Sequence, residues 1–353
     1  MNRPLRIAVI GTGGIAALHL RHWRAQPGVE VVAVADTQVH RARAAAAEHG
    51  LDADAVVPDL GAALAQELDA VDLCTPPYLH EPQALEALAA GCSVILEKPL
   101  AGSAEGFDRL LAAERSSRRV VVPVLQNRLG LGPRQLRALV AAGLTGRFLH
   151  GSLETSWRRT ASYYAVPWRG RRETELGGCL TGLAIHQLDV ALEFTPPVER
   201  VLAHPATLVH PIEVEDCGAA VLVTRGGGWL SLTCSVHAQR ESSRLQFVFE
   251  HLQVEAGPDP YRWAAEPWRV VCADPARQRQ IDACLAEVRP EPLPEGADPL
   301  WHAAARVWCA RLRGAGPCDP VTGAMVDLAS ARQGVAIISE IGSGSQITQG
   351  VSQ

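Results

Sequence analysis

The sequence predicts an α/β protein in two parts. Residues 1–124 read as a doubly wound parallel sheet, and residues 125–353 as an α/β domain with a large, open, mainly antiparallel sheet. Three observations lead there. Short apolar runs alternate with helical stretches through the first part. The first run ends in a glycine-rich turn. Beyond about residue 125 the alternation fades and strands with period-two patterning take over.

Leu5–Ile10 reads as a buried strand, followed by Gly11-Thr12-Gly13-Gly14-Ile15-Ala16 and a helix over 17–24. This is G-x-G-x-x-A between a strand and a helix. The first glycine permits the tight turn, the second lets the backbone approach a pyrophosphate, and the small third residue lets helix and strand pack closely. The helix then turns free N–H groups toward the phosphate. Val29–Ala35 is a second strand, ending in Asp36. An acid there accepts hydrogen bonds from a ribose and repels a 2′-phosphate, which favours NAD over NADP. The alternative role for Asp36 is as N-cap of the helix over 39–49. Residues 70–74 form the next strand, leaving through Thr75-Pro76-Pro77-Tyr78-Leu79-His80 into a helix over 81–90 that Gly91 ends. Ser93–Leu96 runs into Glu97-Lys98-Pro99; a helix over 104–116 and a strand over 120–125 follow. Ligands of an open parallel sheet bind at the carboxyl ends of its strands, where Gly11, Asp36, Thr75 and Lys98 all fall.

Lys98 stands out for another reason. The chain has 33 basic residues, and Lys98 is its sole lysine. On a solvated surface arginine substitutes for lysine at little cost, but arginine stays protonated while a buried lysine can release a proton. A lysine retained at a strand end is therefore a candidate for chemistry.

In the second part, residues 131–142 read as a helix and 149–157 as a strand with alternating faces. Strands over 219–224 and 229–236 are joined by Arg225-Gly226-Gly227-Gly228, a hairpin signal, and a further strand covers 245–250. Val221, Leu230 and Leu232 suggest an exposed apolar sheet face, and hence a homodimer or homotetramer. Residues 256–295 show little periodicity, and two helices, about 299–313 and 322–341, close the chain before a small polar tail expected to fray. Tyr163-Tyr164 and Trp168-Arg169-Gly170 precede Gly177-Gly178-Cys179-Leu180-Thr181-Gly182-Leu183-Ala184-Ile185-His186-Gln187-Leu188-Asp189. Here the glycines read as a turn entering a helix that places Gly182, His186 and Asp189 on one face. Arg169 suits a carboxylate or phosphate, or else a structural ion pair.

Composition bounds the function. Hydrophobic content of 47%, charged content of 20% and a net charge of −5 are those of an ordinary globular protein, with no basic excess for nucleic acid or a membrane surface. Nine scattered cysteines show neither C-x-x-C nor metal-ligand spacing, so they read as free thiols in a reducing, cytoplasmic compartment, with no metal. No secretory signal or membrane span is visible. A hydrolase lacks support: there is no G-x-S-x-G elbow.

Three motifs occur together and in order: the glycine-rich turn, Glu97-Lys98-Pro99, and Gly177-Gly178 leading to His186 and Asp189. With them the chain resembles the Gfo/Idh/MocA dehydrogenases over nearly its whole length. Gln126-Asn127-Arg128, Tyr163-Tyr164, Trp168-Arg169-Gly170 and Ala184-Ile185-His186 look most like the branch of inositol-type and nucleotide-sugar 3-dehydrogenases, and Ile212-Glu213-Val214-Glu215-Asp216 matches a family pattern opening a sheet strand. The resemblance implies a Rossmann domain, an open-sheet domain used for oligomerisation, and hydride transfer between NAD and a secondary hydroxyl of a sugar, cyclitol or nucleotide sugar. It implies His186 as acid/base and Lys98 as the cation near nicotinamide that lowers the hydroxyl's proton affinity. The expected cofactor set is Gly11, Thr12, Gly13, Gly14, Ile15 and Asp36, with Thr75, Pro76, His80, Glu97, Lys98 and Gln126 at the other strand ends. The expected substrate set is Lys98, Arg128, Tyr163, Tyr164, Trp168, Arg169, Gly182 and His186.

Departures accompany the resemblance. The family usually has Asp or Asn four residues before the histidine; here it is Gly182. That leaves open a bulkier substrate, a group supplied from elsewhere such as Thr181, or lost activity. Cys179 replaces a third glycine, and Leu129-Gly130, with Pro133 further on, replaces Phe-Asn-Pro. The alternative to an enzyme is a non-catalytic, dinucleotide-sensing regulator on the same scaffold.

Overall fold

Strand and helix alternate from Leu5 as the sequence pattern requires. A computed structural model describes residues 3–342 and divides them into two units. In the first lie β1 (Leu5–Ile10), α1 (Gly14–Arg24), β2 (Val29–Ala35), α2 (Val39–Glu48), β3 (Val56–Val57), α3 (Leu60–Leu64), β4 (Ala70–Leu73), α4 (His80–Ala89), β5 (Ser93–Leu96), α5 (Ala104–Ser117) and β6 (Val121–Pro123). The strands form one parallel sheet in the order β3-β2-β1-β4-β5-β6. Strands buried on both faces need continuous apolar runs, and Ile7, Val9, Leu73, Ile95 and Leu96 are fully buried. The strand order reverses between β1 and β4. Gly11 sits at that point with φ +85°, and a Cβ there would lie 2.7 Å from the Cys74 carbonyl oxygen. Only glycine allows the chain to turn so close to the end of β4.

The second unit contains α6 (Leu131–Ala141), β7 (Phe148–Arg158), α7 (Ala161–Tyr164), α8 (Arg172–Glu175), a π-helical turn (Leu180–Ala184) and α9 (Ile185–Glu193). Then come β8 (Val198–Ala206), β9 (Cys217–Thr224), β10 (Trp229–Ser235), β11 (His237–Phe249), β12 (Gln253–Ala256), β13 (Arg269–Val271) and α10 (Pro275–Glu287). The strands run in the order β13-β12-β11-β7-β10-β9-β8, with only the β7–β10 pair parallel. The predicted mainly antiparallel sheet is present. Residues along β9 and β10 alternate, so Leu222, Leu230 and Leu232 are buried. The expectation that Leu230 and Leu232 share an exposed face with Val221 is wrong: Leu230 pairs with Leu222, whereas Val221 pairs with Ser231, one step out of phase. The outer face instead carries Leu202, Val221 and Trp229 at 45%, 38% and 47% exposure.

Other differences have similar causes. Strand β8 was not anticipated because the adjacent Glu199 and Arg200 are both exposed at a shift in its register with β9, which breaks the alternation. Strand β11 begins at His237 because its polar half pairs with β7. Helix α10 was not anticipated either. It is capped by Asp274, which accepts from the Ala276 N–H at 2.8 Å, and buries only Ile281, too little to register as periodicity.

Two helices close the described chain, α11 (Pro299–Leu312) and α12 (Arg332–Gly342); the latter starts ten residues later than the predicted 322, after loop and a 3₁₀ turn. A single cut after residue 124 does not describe the two units. Residues 293–319 and 325–332 belong with the first unit. The Trp301 and Trp308 rings of α11 each lie 5.0 Å from the His19 ring, and Trp308 lies 5.1 Å from Trp23. An apolar stripe shows that a helix is buried but not against which partner. The polar tail expected to fray lies outside the described residues. Among those described, no helix is long and apolar enough to cross a membrane.

Candidate functional site

The glycine turn after β1 leads into α1 with Gly13 as N-cap, no side-chain cap and no acidic residue in the first turn. Uncapped N–H groups at a helix start attract an anion. A Cβ added at Gly13 or Gly14 would meet nothing within 4 Å, so the turn faces open space. Asp36 is bound into the same turn: its carboxylate accepts from the Thr12 N–H and the Thr12 hydroxyl, both at 3.0 Å, and from the Gln38 N–H at 2.8 Å. Partial burial pushes its pKa up, but these bonds outweigh it and hold the carboxyl below its ordinary range. Asp36 is therefore an anion locked to the glycine turn, and it is not the N-cap of α2, a position that Gln38 holds. At the other strand ends, Gln126 Oε1 is buried with no hydrogen-bond partner. A buried acceptor without a donor is costly, so this oxygen suits an N–H from a bound group. Open space at the turn, a free helix start, a fixed acid and an unmet acceptor fit a dinucleotide.

Other expected cofactor residues turn their polar atoms inward. The Thr75 hydroxyl donates to Gln83 at 2.7 Å. His80 is buried with Nδ1 2.7 Å from the Pro99 carbonyl and Nε2 2.8 Å from the Thr75 carbonyl, so it ties the exits of β4 and β5 together. Burial lowers its pKa. Glu97 Oε2 accepts the Lys98 N–H at 3.0 Å, while Oε1 lies 3.1 Å from His19 Nε2. His19 Nδ1 lies 2.8 Å from Asp72 Oδ2, which also accepts from Trp23 Nε1 at 2.6 Å. This fully buried His19–Asp72–Glu97 cluster escaped the sequence reading. The signal was available: His19 and Trp23 are one turn apart on α1, and Asp72 interrupts an apolar strand. Lys98 then leaves the end of β5, half-buried.

In the second unit, His186 is the second residue of α9 and half-buried. A π-helical turn precedes it, so the α-helical spacing from Gly182 to His186 that the sequence suggested does not hold. Glu215 positions this entry. Its Oε1 accepts the N–H groups of Gly178 at 2.9 Å and Leu180 at 3.1 Å, and its carbonyl accepts from Cys179 at 2.9 Å. A Cβ at Gly178 would collide with the Glu215 backbone, which explains the glycine. Gln187 anchors α9 to the sheet, Oε1 accepting from the Thr155 hydroxyl at 2.8 Å and Nε2 donating to the Arg244 carbonyl at 3.0 Å. Gly182 faces open space.

The remaining expected substrate residues also make contacts within the second unit. Arg128 is buried and grips Asp189 in a bidentate pair, Nε to Oδ2 at 2.6 Å and a terminal nitrogen to Oδ1 at 2.5 Å. It anchors α9 through Asp189. Arg169 lies 3.8 Å from the Tyr163 ring centre and 4.1 Å from that of Trp168, pairs with Glu175 at 3.1 Å and donates to the Tyr163 hydroxyl. This is the ion-pair alternative, reinforced by ring stacking. Tyr164 packs on His210 with ring centres 4.7 Å apart.

The sequence matches the family profile for the oxidoreductase family with NAD-binding Rossmann fold over residues 5–124, and that for the GFO/IDH/MocA C-terminal domain over 134–255. D-apiose dehydrogenase of Paraburkholderia graminis is 29% identical over 328 residues, 83% of each chain. D-glucoside 3-dehydrogenase of Escherichia coli K12 is 32% identical over 207 residues, 57% of each chain, so little more than half of that relative is spanned. The structure superposes on the WlbA dehydrogenase of Bordetella pertussis, crystallised with NADH and UDP-GlcNAcA, with TM-score 0.81 and 27% identity over 98% of this chain and 97% of that one. With both domain profiles matched in order on the fold they describe, the chain belongs to the GFO/IDH/MocA family of NAD-binding oxidoreductases.

Proposed function

We propose that the protein is an NAD-dependent dehydrogenase that interconverts a secondary hydroxyl and a ketone on a sugar, cyclitol or nucleotide-linked sugar. The observation that carries this reading is Lys98, the only lysine of the chain, leaving the end of β5 in an NAD-binding domain. The glycine turn and the start of α1 hold the pyrophosphate, and Asp36 holds the adenosine ribose. Bound NAD supplies the hydride acceptor. His186 takes the hydroxyl proton as the carbinol carbon gives up hydride, because the carbon cannot release hydride unless its oxygen loses a proton. Lys98 offers positive charge to the developing alkoxide. In reduction the same groups run in reverse. Nine cysteines without a disulfide agree with a reducing, cytoplasmic setting, and the net charge of −5 gives no grip on nucleic acid.

The test is NADH formation with a panel of D-glucosides, D-apiose, inositols and UDP-sugars. We expect one class to be oxidised, and His186→Ala to cut turnover by roughly 10²–10⁴-fold while NAD binding persists. Tight NAD binding with no turnover on any panel member overturns the reading in favour of a dinucleotide sensor.

A further inference from the structure

The mechanism above leaves one buried ionic cluster unused. His19 on α1, Asp72 on β4 and Glu97 after β5 are almost inaccessible to water: His19 and Asp72 are 0% exposed and Glu97 5%. Each imidazole nitrogen of His19 meets a carboxylate, Asp72 at 2.8 Å and Glu97 at 3.1 Å. Both nitrogens donate only in the protonated ring, and the carboxylate at each of them favours that form, an imidazolium between two anions. Burial lowers the His19 pKa, but Asp72 and Cys74 together outweigh it and the pKa stands well above the ordinary range. Three groups carrying one positive and two negative charges leave one negative charge in a dry pocket. Its exit is toward Lys98: Glu97 Oε2 accepts the Lys98 N–H at 3.0 Å, and Lys98 in turn helps to keep Glu97 ionised.

The surroundings add little charge. Cys74, just after β4, donates to Asp72. His80 faces Glu97 and Lys98 from α4, its pKa lowered by burial. From α11 come Trp301 and Trp308, and beyond them Asp298 and His302 beside His22, whose pKa is also lowered by burial.

We infer that His19 is a positioning residue for Lys98: clamped between Asp72 and Glu97, it holds the Glu97 carboxylate against the Lys98 backbone and offsets part of its charge. The inference builds on the reading of Lys98 as the catalytic cation, but its test needs no substrate. Because the chain has one lysine, full-length protein made with isotope-labelled lysine shows a single lysine side-chain NMR signal, and its titration reports Lys98 alone.

Removing the anion with Glu97→Gln keeps an acceptor for the backbone N–H and should lower the Lys98 midpoint by about one pH unit. Removing the cation with His19→Gln should raise it by a similar amount. The double variant His19→Gln/Asp72→Asn removes one charge of each sign and should return the midpoint toward wild type. A role confined to packing predicts no such restoration. If His19→Gln does not fold, His19→Asn, which removes the same cation, should raise the midpoint in its place. Midpoints unchanged from wild type in all folded variants, or a double variant further displaced than the singles, overturn the proposal. A chain that shows these shifts yet oxidises nothing would lose the dehydrogenase reading and keep this one.

Discussion

At the scale of single residues, Asp36 and Gly182 are the proposed determinants of cofactor and substrate preference. Asp36 is held against the glycine turn by Thr12 and Gln38, with its pKa below the ordinary range. A lowered pKa keeps the carboxylate ionised above about pH 4, the ordinary aspartate value, and the charge is lost only as pH falls through the lower folded value. NAD should therefore bind at least several-fold tighter than NADP, with a ratio flat across neutral pH and shrinking only in acid. Fluorescence titration with both dinucleotides checks this, and equal or tighter NADPH binding at neutral pH removes Asp36 from the role. Gly182 lies in open space, where a Cβ would meet nothing within 4 Å. Gly182→Asp should fold normally and raise turnover on small polyols if the natural substrate fills the space left by glycine. A fall in turnover on every panel member would rule out that explanation.

At the scale of elements, the helix bearing His186 is held by more than its own propensity. Arg128 and Asp189 are both buried and paired in two hydrogen bonds. Taking one charge from a buried pair strands the other, which costs roughly 3–5 kcal/mol. Asp189→Asn should therefore lower the unfolding free energy measured in urea by an amount in that range, while removal of both charges, Arg128→Met with Asp189→Leu, should cost much less. A single variant as stable as wild type would show that the pair is solvated. Glu215 acts ahead of that helix, at the entry to the π-helical turn, by accepting the N–H groups of Gly178 and Leu180. The π-helical turn between Glu215's contacts and His186 is where the regular backbone pattern gives way, as often happens beside functional groups.

For the molecule as a whole, the open sheet presents Leu202, Val221 and Trp229 to solvent, with Leu202 and Val221 directly paired across β8 and β9. Contiguous exposed apolar groups on a sheet generally meet a partner, and a second copy of this chain is the proposed one. Light scattering should give a homodimer or homotetramer at micromolar concentration. Trp229→Glu should shift the population toward monomer while leaving the circular dichroism spectrum unchanged. A monomeric wild type would refute assembly through this face.

Much of the first unit was legible because local signals and tertiary structure agree there. A buried parallel strand must be an apolar run, and the glycine turn and Asp36 announce themselves by spacing. Lys98 and His186 could be singled out from residue type, isolation and resemblance. Tertiary structure alone decided where the remaining polar atoms went. Arg128, expected at a substrate, also pairs with Asp189, and Glu97, expected at the cofactor, also meets His19, contacts that spacing does not announce. Sequence periodicity reports how a segment is buried, not against what, so α11 could not be assigned to the first unit, nor could Leu230 and Val221 be placed on opposite faces without the register. His19 and Asp72 are 53 positions apart and become a pair only when α1 packs over β4. A hydrogen bond needs two partners at one distance, and that distance exists only after the chain has folded.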